Sequence, residues 1–153
     1  MELMSKSNIR ITVFVTIIVF SLLALGEAFA DNPAMYTADS NNDGKPDQWY
    51  SMENDAVKYL EMDRNYDGKV DYIADYGEDG KLIKEELDFN YDGKMDDFYY
   101  YNEDGVLSRE EIDSNFDGKP DIWIYLYKGI YIKKYEKDKN FDGRVDIVKD
   151  YSK

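Results

Sequence analysis

Apolar residues in this chain do not recur at helical spacing. They come in short runs rich in Tyr, Ile, Val, Phe and Trp, such as DDFYYY at 96–101 and DIWIYL at 121–126. Aromatic and β-branched side chains fit a pleated, half-covered surface, so runs of this length predict strands. Each run is bounded by turn chemistry, with an acidic stretch at one end and, in two places, a hairpin signal at the other: Asp79-Gly80 and Asp104-Gly105. The pattern predicts an all-β antiparallel meander of nine or ten strands, built from tandem hairpins of about 25 residues. A twisted sheet, a solenoid and barrel-like closure are all compatible with it. One apolar position recurs after every acidic stretch, at Trp49, Ile73, Phe98, Trp123 and Val148. It is expected to form a buried column across the sheet.

The acidic stretches are copies of one motif. DSNNDGKPD starts at Asp39, DRNYDGKVD at Asp63, DFNYDGKMD at Asp88, DSNFDGKPD at Asp113 and DKNFDGRVD at Asp138, at intervals of 24, 25, 25 and 25 residues. Such regular spacing marks a repeat architecture rather than an accident of acidic composition. The fourth residue is aromatic in four copies (Tyr66, Tyr91, Phe116, Phe141) and is expected to pack its loop against the neighbouring repeat.

Composition narrows the chemistry. The chain has no Cys and no His, and its net charge is −14. Disulfides are therefore unavailable, and so are the sulfur and imidazole ligands that hold zinc, copper or iron. Any metal site must be an oxygen site. The strong negative charge argues against nucleic acid as a partner. At the N-terminus, Lys6 and Arg10 precede an apolar run from Ile11 to Leu25, and Ala28-Phe29-Ala30 supplies a small-residue cleavage pattern. That order reads as a signal peptide over 1–30, cut after Ala30, with a single domain over 31–153. The run is shorter than the roughly 20 residues needed to span a bilayer. The expected product is secreted or periplasmic and not an integral membrane protein.

Calcium takes six to eight hard oxygen ligands, and a compact loop can offer them from side chains at positions 1, 3 and 5 and a backbone carbonyl at 7. Each copy supplies that set and adds an aspartate at position 9. The candidate ligands are Asp39, Asn41, Asp43, Lys45 and Asp47 in the first copy, and Asp63, Asn65, Asp67, Lys69 and Asp71 in the second. The third copy offers Asp88, Asn90, Asp92, Lys94 and Asp96, and the fourth Asp113, Asn115, Asp117, Lys119 and Asp121. Asp138, Asn140, Asp142, Arg144 and Asp146 complete the fifth. The seventh residue would contribute only its carbonyl, leaving the Lys or Arg side chain free to face solvent. Three carboxylates crowded in one loop repel each other unless a cation enters, so up to five Ca²⁺ are expected.

These loops resemble the acidic calcium loops of EF-hands and, more closely, the strand-flanked loops of FG-GAP repeats in integrin alpha subunits. The EF-hand's bidentate Glu at position 12 is here Tyr50, Ala74, Tyr99, Ile124 or Lys149. The likeness therefore implies a loop between strands, closed by the ninth-position Asp, rather than a helix-loop-helix.

Enzymatic roles find little support. The adjacent pairs Glu85-Glu86 and Glu110-Glu111 resemble a glycosidase's two acids, but neighbours on a strand point to opposite faces and are expected to be sheet surface. A non-enzymatic, calcium-stabilised protein with a structural or adhesive role is the first expectation. The alternative is a calcium-dependent module that binds a glycan or an envelope protein through exposed tyrosines such as Tyr99, Tyr101 and Tyr125.

Overall fold

The computed structural model describes residues 34–152; the segment read as a signal peptide, 1–30, lies outside them. Ten strands form one antiparallel sheet: β1 (Met35–Ala38), β2 (Gln48–Glu53), β3 (Ala56–Met62), β4 (Tyr72–Tyr76), β5 (Leu82–Leu87), β6 (Asp97–Tyr101), β7 (Leu107–Ile112), β8 (Ile122–Tyr127), β9 (Tyr131–Lys137) and β10 (Ile147–Asp150). Their order in the sheet is their order in the chain, with β1 and β10 at the two edges. The sheet is thus an open meander, which decides among the three closures the sequence allows.

Acidic loops and short turns alternate, so all five loops lie at one end of the strands and the turns at the other. Two of the turns, Asn54-Asp55 and Lys128-Gly129, place both residues at positive φ (50° and 61°, 55° and 70°). That is the type I′ geometry whose twist matches flanking strands. The other two turns are closed by Gly77 N–H to the Lys81 carbonyl (2.8 Å) and Asn102 N–H to the Val106 carbonyl (3.0 Å). A register shift recurs after Ser51, Asp75, Tyr100 and Tyr125, one per hairpin, near its turn. Bulges of this kind bend a strand and increase its local twist.

The apolar core is small. Among the described residues only Leu60, Tyr72 and Ala74 are buried apolar side chains, with Tyr50, Val57, Met62, Tyr76, Leu82 and Leu87 packed around them. Register places these residues on one face of β2 to β5.

The recurring apolar position after each loop lies on the opposite face and forms a column, as expected, but not a buried one. Pairing runs Trp49, Glu61, Ile73, Glu86, Phe98, Glu111, Trp123, Glu136, Val148, so a glutamate stands between each apolar residue and the next. With no second layer over this face among the described residues, the column stays half-buried and Val148 is 58% exposed. Three of the four glutamates are held by cations on their own strands, Lys84 Nζ to Glu86 at 2.6 Å, Arg109 Nε to Glu111 at 3.4 Å and Lys134 Nζ to Glu136 at 2.6 Å, and Glu61 accepts from the Tyr59 hydroxyl at 2.6 Å.

Candidate metal sites

Every acidic loop has nearly the same internal hydrogen bonds, drawn from the Asx chemistry of its sequence. The first-position carboxylate accepts backbone N–H groups from within its own loop, as Asp63 does from Asp67 (3.1 Å) and Gly68 (2.7 Å), and Asp88 from Tyr91 (2.6 Å) and Gly93 (2.7 Å). The third-position Asn oxygen accepts the fifth residue's N–H, at 2.7 Å from Asp92 to Asn90. The fifth carboxylate accepts the seventh N–H, at 2.9 Å from Lys94 to Asp92. Gly44, Gly68, Gly93, Gly118 and Gly143 turn the chain at φ between 84° and 95°. Only glycine adopts that conformation without strain.

The ninth-position aspartate has a different task. One oxygen of Asp96 accepts the N–H groups of Phe89 (3.0 Å) and Asn90 (3.2 Å), and Asp47, Asp71 and Asp146 cap the equivalent pairs in their loops. Asp121 caps Ser114 N–H at 2.8 Å. The other oxygen differs between copies. In the second copy it meets the Arg64 side chain, and in the fourth the Ser114 hydroxyl at 2.7 Å. In the first copy Asp47 Oδ1 is buried with no partner.

The loops are also tied to each other. Asp63 N–H donates to the Asp47 carbonyl (2.9 Å), Asp88 to Asp71 (3.0 Å), Asp113 to Asp96 (2.7 Å) and Asp138 to Asp121 (2.9 Å). The seventh-position side chain takes part as well. Lys69 crosses to the third loop and donates from Nζ to the Asp92 carbonyl at 3.3 Å, and its Cδ would lie 3.4 Å from a Cβ on Gly93. Lys94 lies in the same way beside Gly118. These lysines bridge loops rather than simply facing solvent.

Stacking of the loops buries their acids. Ten polar residues are buried among those described, and eight are first- or ninth-position aspartates: Asp47, Asp63, Asp71, Asp88, Asp96, Asp113, Asp121 and Asp138. Buried carboxylates are ordinarily paired or metal-bound. Here the one ion pair to a loop aspartate among the described residues is Arg64 with Asp71. Asp96 shows the strain electrostatically: burial first, then the charges of Asp88 and Asp92, push its carboxyl above the ordinary range, against the pull of the Asn90 and Phe89 N–H groups.

Whether the loops suit a cation has two sides. Their donors are all hard oxygens, which fits calcium, and the buried carboxylates lack countercharge. As the loops stand, however, no group of three or more acidic side chains among the described residues is arranged to hold a metal ion. The ninth-position aspartate caps the loop's own backbone, and a position-3 amide rather than a carboxylate lies between the acids at 1 and 5.

The fourth-position aromatics are half-exposed: Tyr66 52%, Tyr91 44%, Phe116 47% and Phe141 46%. All four sit in the left-handed region at φ 61° to 63°, as does Asn42 in the first copy at 60°. Phe141 and Pro120 line a shallow groove of about 110 Å³ between the last two loops. The inter-loop packing expected of these rings is therefore partial.

A second cluster of acids lies where sequence reasoning expected plain sheet surface. On the same face as Tyr72 and Ala74, Glu85 accepts hydrogen bonds from Tyr72 (2.5 Å) and Tyr101, and Asp97 accepts one from Tyr99 (2.7 Å). Asp97 Oδ1 is buried without a partner. Burial raises the Asp97 carboxyl to about 6, with nearby Glu110 contributing. Burial raises Glu110 as well. Glu86 and Glu111 face the other way, so the alternation is as expected, and all four glutamates are half-buried rather than plain sheet surface. Tyr99 and Tyr101 lie on this face, whereas Tyr125 pairs with Arg109 on the other. The three tyrosines do not share one platform.

No protein-family model matches the chain, and no curated protein matches it. Among solved structures it is similar to one of accessory secretory proteins 1, 2 and 3 of Streptococcus pneumoniae, at 14% identity and a TM-score of 0.44, over 72% of this chain and 21% of that one. It is also similar to a GtfA/B complex bound to UDP and GlcNAc, at 11% identity and a TM-score of 0.46, over 82% of this chain and 28% of that one. The chain spans between a fifth and three-tenths of the length of the chains it matches.

Proposed function

We propose that this is an exported, non-enzymatic protein whose five acidic loops bind calcium, and that the bound ions complete and stiffen the sheet for a structural or adhesive role. The observation that supports this reading best is the burial of eight loop aspartates with a single cationic side chain among them. In each loop the side chains at positions 1, 3, 5 and 9 and the carbonyl at 7 would hold the ion. Calcium would supply the positive charge that the stacked carboxylates lack. Up to five ions would offset ten of the fourteen net negative charges. Magnesium suits the loops less, because it demands strict octahedral geometry and gives up its waters reluctantly.

Extracellular modules bind calcium at roughly 10⁻⁴ to 10⁻³ M. At ten times the Kd each ion stabilises the fold by about 1.4 kcal/mol, so five independent sites contribute about 7 kcal/mol. That is comparable with the whole stability of an ordinary domain, roughly 5–15 kcal/mol. Thermal unfolding followed by circular dichroism in EGTA and in millimolar calcium tests the reading. A large drop in melting temperature on chelation, barely reversed by magnesium, is expected. An unchanged melting temperature together with no calorimetric heat of binding would show the loops to be turns only. The export part is tested by intact mass, which should begin at Asp31.

A further inference from the structure

The hydrogen-bond chain linking the loops has two loose ends. Each interior loop receives a bond from the next through its ninth carbonyl and gives one to the previous through its first N–H. Among the described residues Asp39 has no preceding loop to donate to, and Asp146 has no following loop to accept from. The sheet therefore ends in an unmatched donor on the β1 side and an unmatched acceptor on the β10 side. These two ends are complementary.

The strands beside them are in phase too. β1 and β10 are each four residues long. β10 follows a loop and β1 precedes one, which is the relation of β2 to β3, β4 to β5, β6 to β7 and β8 to β9. In those pairs the residue after the ninth Asp lies opposite the residue before the next loop, as Tyr72 lies opposite Leu87 and Asp97 opposite Ile112. The same register would set Ile147 of one copy against Ala38 of the next, Val148 against Thr37 and Lys149 against Tyr36. The last of these resembles contacts the sheet already makes. Lys149 stands over the Tyr135 ring at 5.9 Å, and Tyr36 stacks on Tyr50 at 5.5 Å. Neither edge carries a bulge, and β1 is uncharged with Met35 and Tyr36 half-exposed. β10 carries Lys149 on the face of Ala74, where the Tyr36 ring of the next copy would receive it, and both strands are short, which keeps the contact weak.

We propose that copies of this chain join head to tail, β10 of one pairing antiparallel with β1 of the next, so that the sheet and its row of acidic loops continue from molecule to molecule. The contact is heterologous, so it leaves a free edge at each end and continues past the dimer, into an open chain or a ring of several copies. Strand addition of this kind takes its affinity from main-chain hydrogen bonds. A four-residue edge is short and the net charge of −14 repels, so association is weak and favoured by salt. The inference does not rest on metal binding.

Proline substitution at the outward-facing backbone positions separates the two edges. Asp88 N–H bonds to the Asp71 carbonyl across the pair Tyr72–Leu87, so the next residue along each strand, Ile73 or Glu86, turns its own N–H toward the partner. Val148 and Thr37 hold those positions on the open edges. Sedimentation of the purified protein, at about 10 µM to about 1 mM in calcium, should show mass rising with concentration past two chains. Thr37→Pro and Val148→Pro should each stay monomeric, and an equimolar mixture should give a dimer that grows no further, since each retains one good edge. Thr37→Lys, which keeps the backbone intact, should act like Thr37→Pro. A wild-type monomer across the whole range, a plateau at two chains, or association unchanged by these substitutions would overturn the proposal.

Discussion

The backbone N–H of Asp113 donates to the carbonyl of Asp96 at 2.7 Å, joining the first residue of the fourth loop to the last residue of the third. The same bond links every successive pair of loops, and between the second and third Lys69 adds a side-chain bridge to the Asp92 carbonyl. An ion that orders one loop thereby fixes one boundary of the next. Calcium titration followed by calorimetry is expected to be cooperative, with a Hill coefficient above 1. Asp92→Ala in the central loop should weaken the remaining sites more than Asp142→Ala in the last loop. Coupling of about 1 kcal/mol, within the ordinary range for linked sites, would give roughly a fivefold difference.

On the proposed reading, the second loop contains its own competitor for calcium. Arg64 bonds Asp71 through its side chain, occupying the oxygen that is free of a side-chain partner in the first loop. Arg64→Ser should therefore raise the calcium affinity of the second loop, by about 1 kcal/mol for the loss of one partly exposed ion pair. Asp71→Ala should abolish binding there. Equal effects of the two changes on stoichiometry would show that Asp71 is not a ligand.

Aromatic side chains in the left-handed region are strained, whereas Asn tolerates it. The first copy already carries Asn42 at this position, and Tyr66 is 52% exposed, so little packing is lost on replacing it. Tyr66→Asn is expected to stabilise the fold by about 0.5–1 kcal/mol in denaturant titration.

Stability without calcium should also depend on Glu110, whose carboxyl burial holds above the ordinary Glu range. The unfolded chain then ionises at a lower pH than the fold does. Stability from this group is fully present below about pH 4.3 and is lost as pH rises through the folded value. Melting temperature in calcium-free buffer should accordingly fall as pH rises above about 4.3, and Glu110→Gln should flatten that part of the profile.

Strand type, strand number and the placing of every loop between strands were legible in the sequence, because the 25-residue repeat and the Tyr-, Ile- and Val-rich runs act locally. Closure was not, since nothing in the chain states whether β10 meets β1. The column from Trp49 to Val148 was read as buried because an apolar residue recurred without exception. Its interleaved glutamates, Glu61, Glu86, Glu111 and Glu136, come from the alternate strands and become visible only once register is known. The burial of Asp97 and half-burial of Glu85 and Glu110 on the apolar face were hidden for the same reason. The loops' candidate ligands were legible as a set. That the ninth aspartate caps its own loop's backbone was not, because the motif gives the order of the oxygens and not the N–H groups competing for them.

Among the described residues each strand touches only the strands next to it in sequence, and no second layer covers either face. Pulled from its two termini, such a sheet has no cross-brace to shear. It should come apart from an edge, one hairpin at a time, at low and nearly equal forces. Each hairpin should then refold as the tension falls, making the molecule an extensible tether rather than a rigid strut.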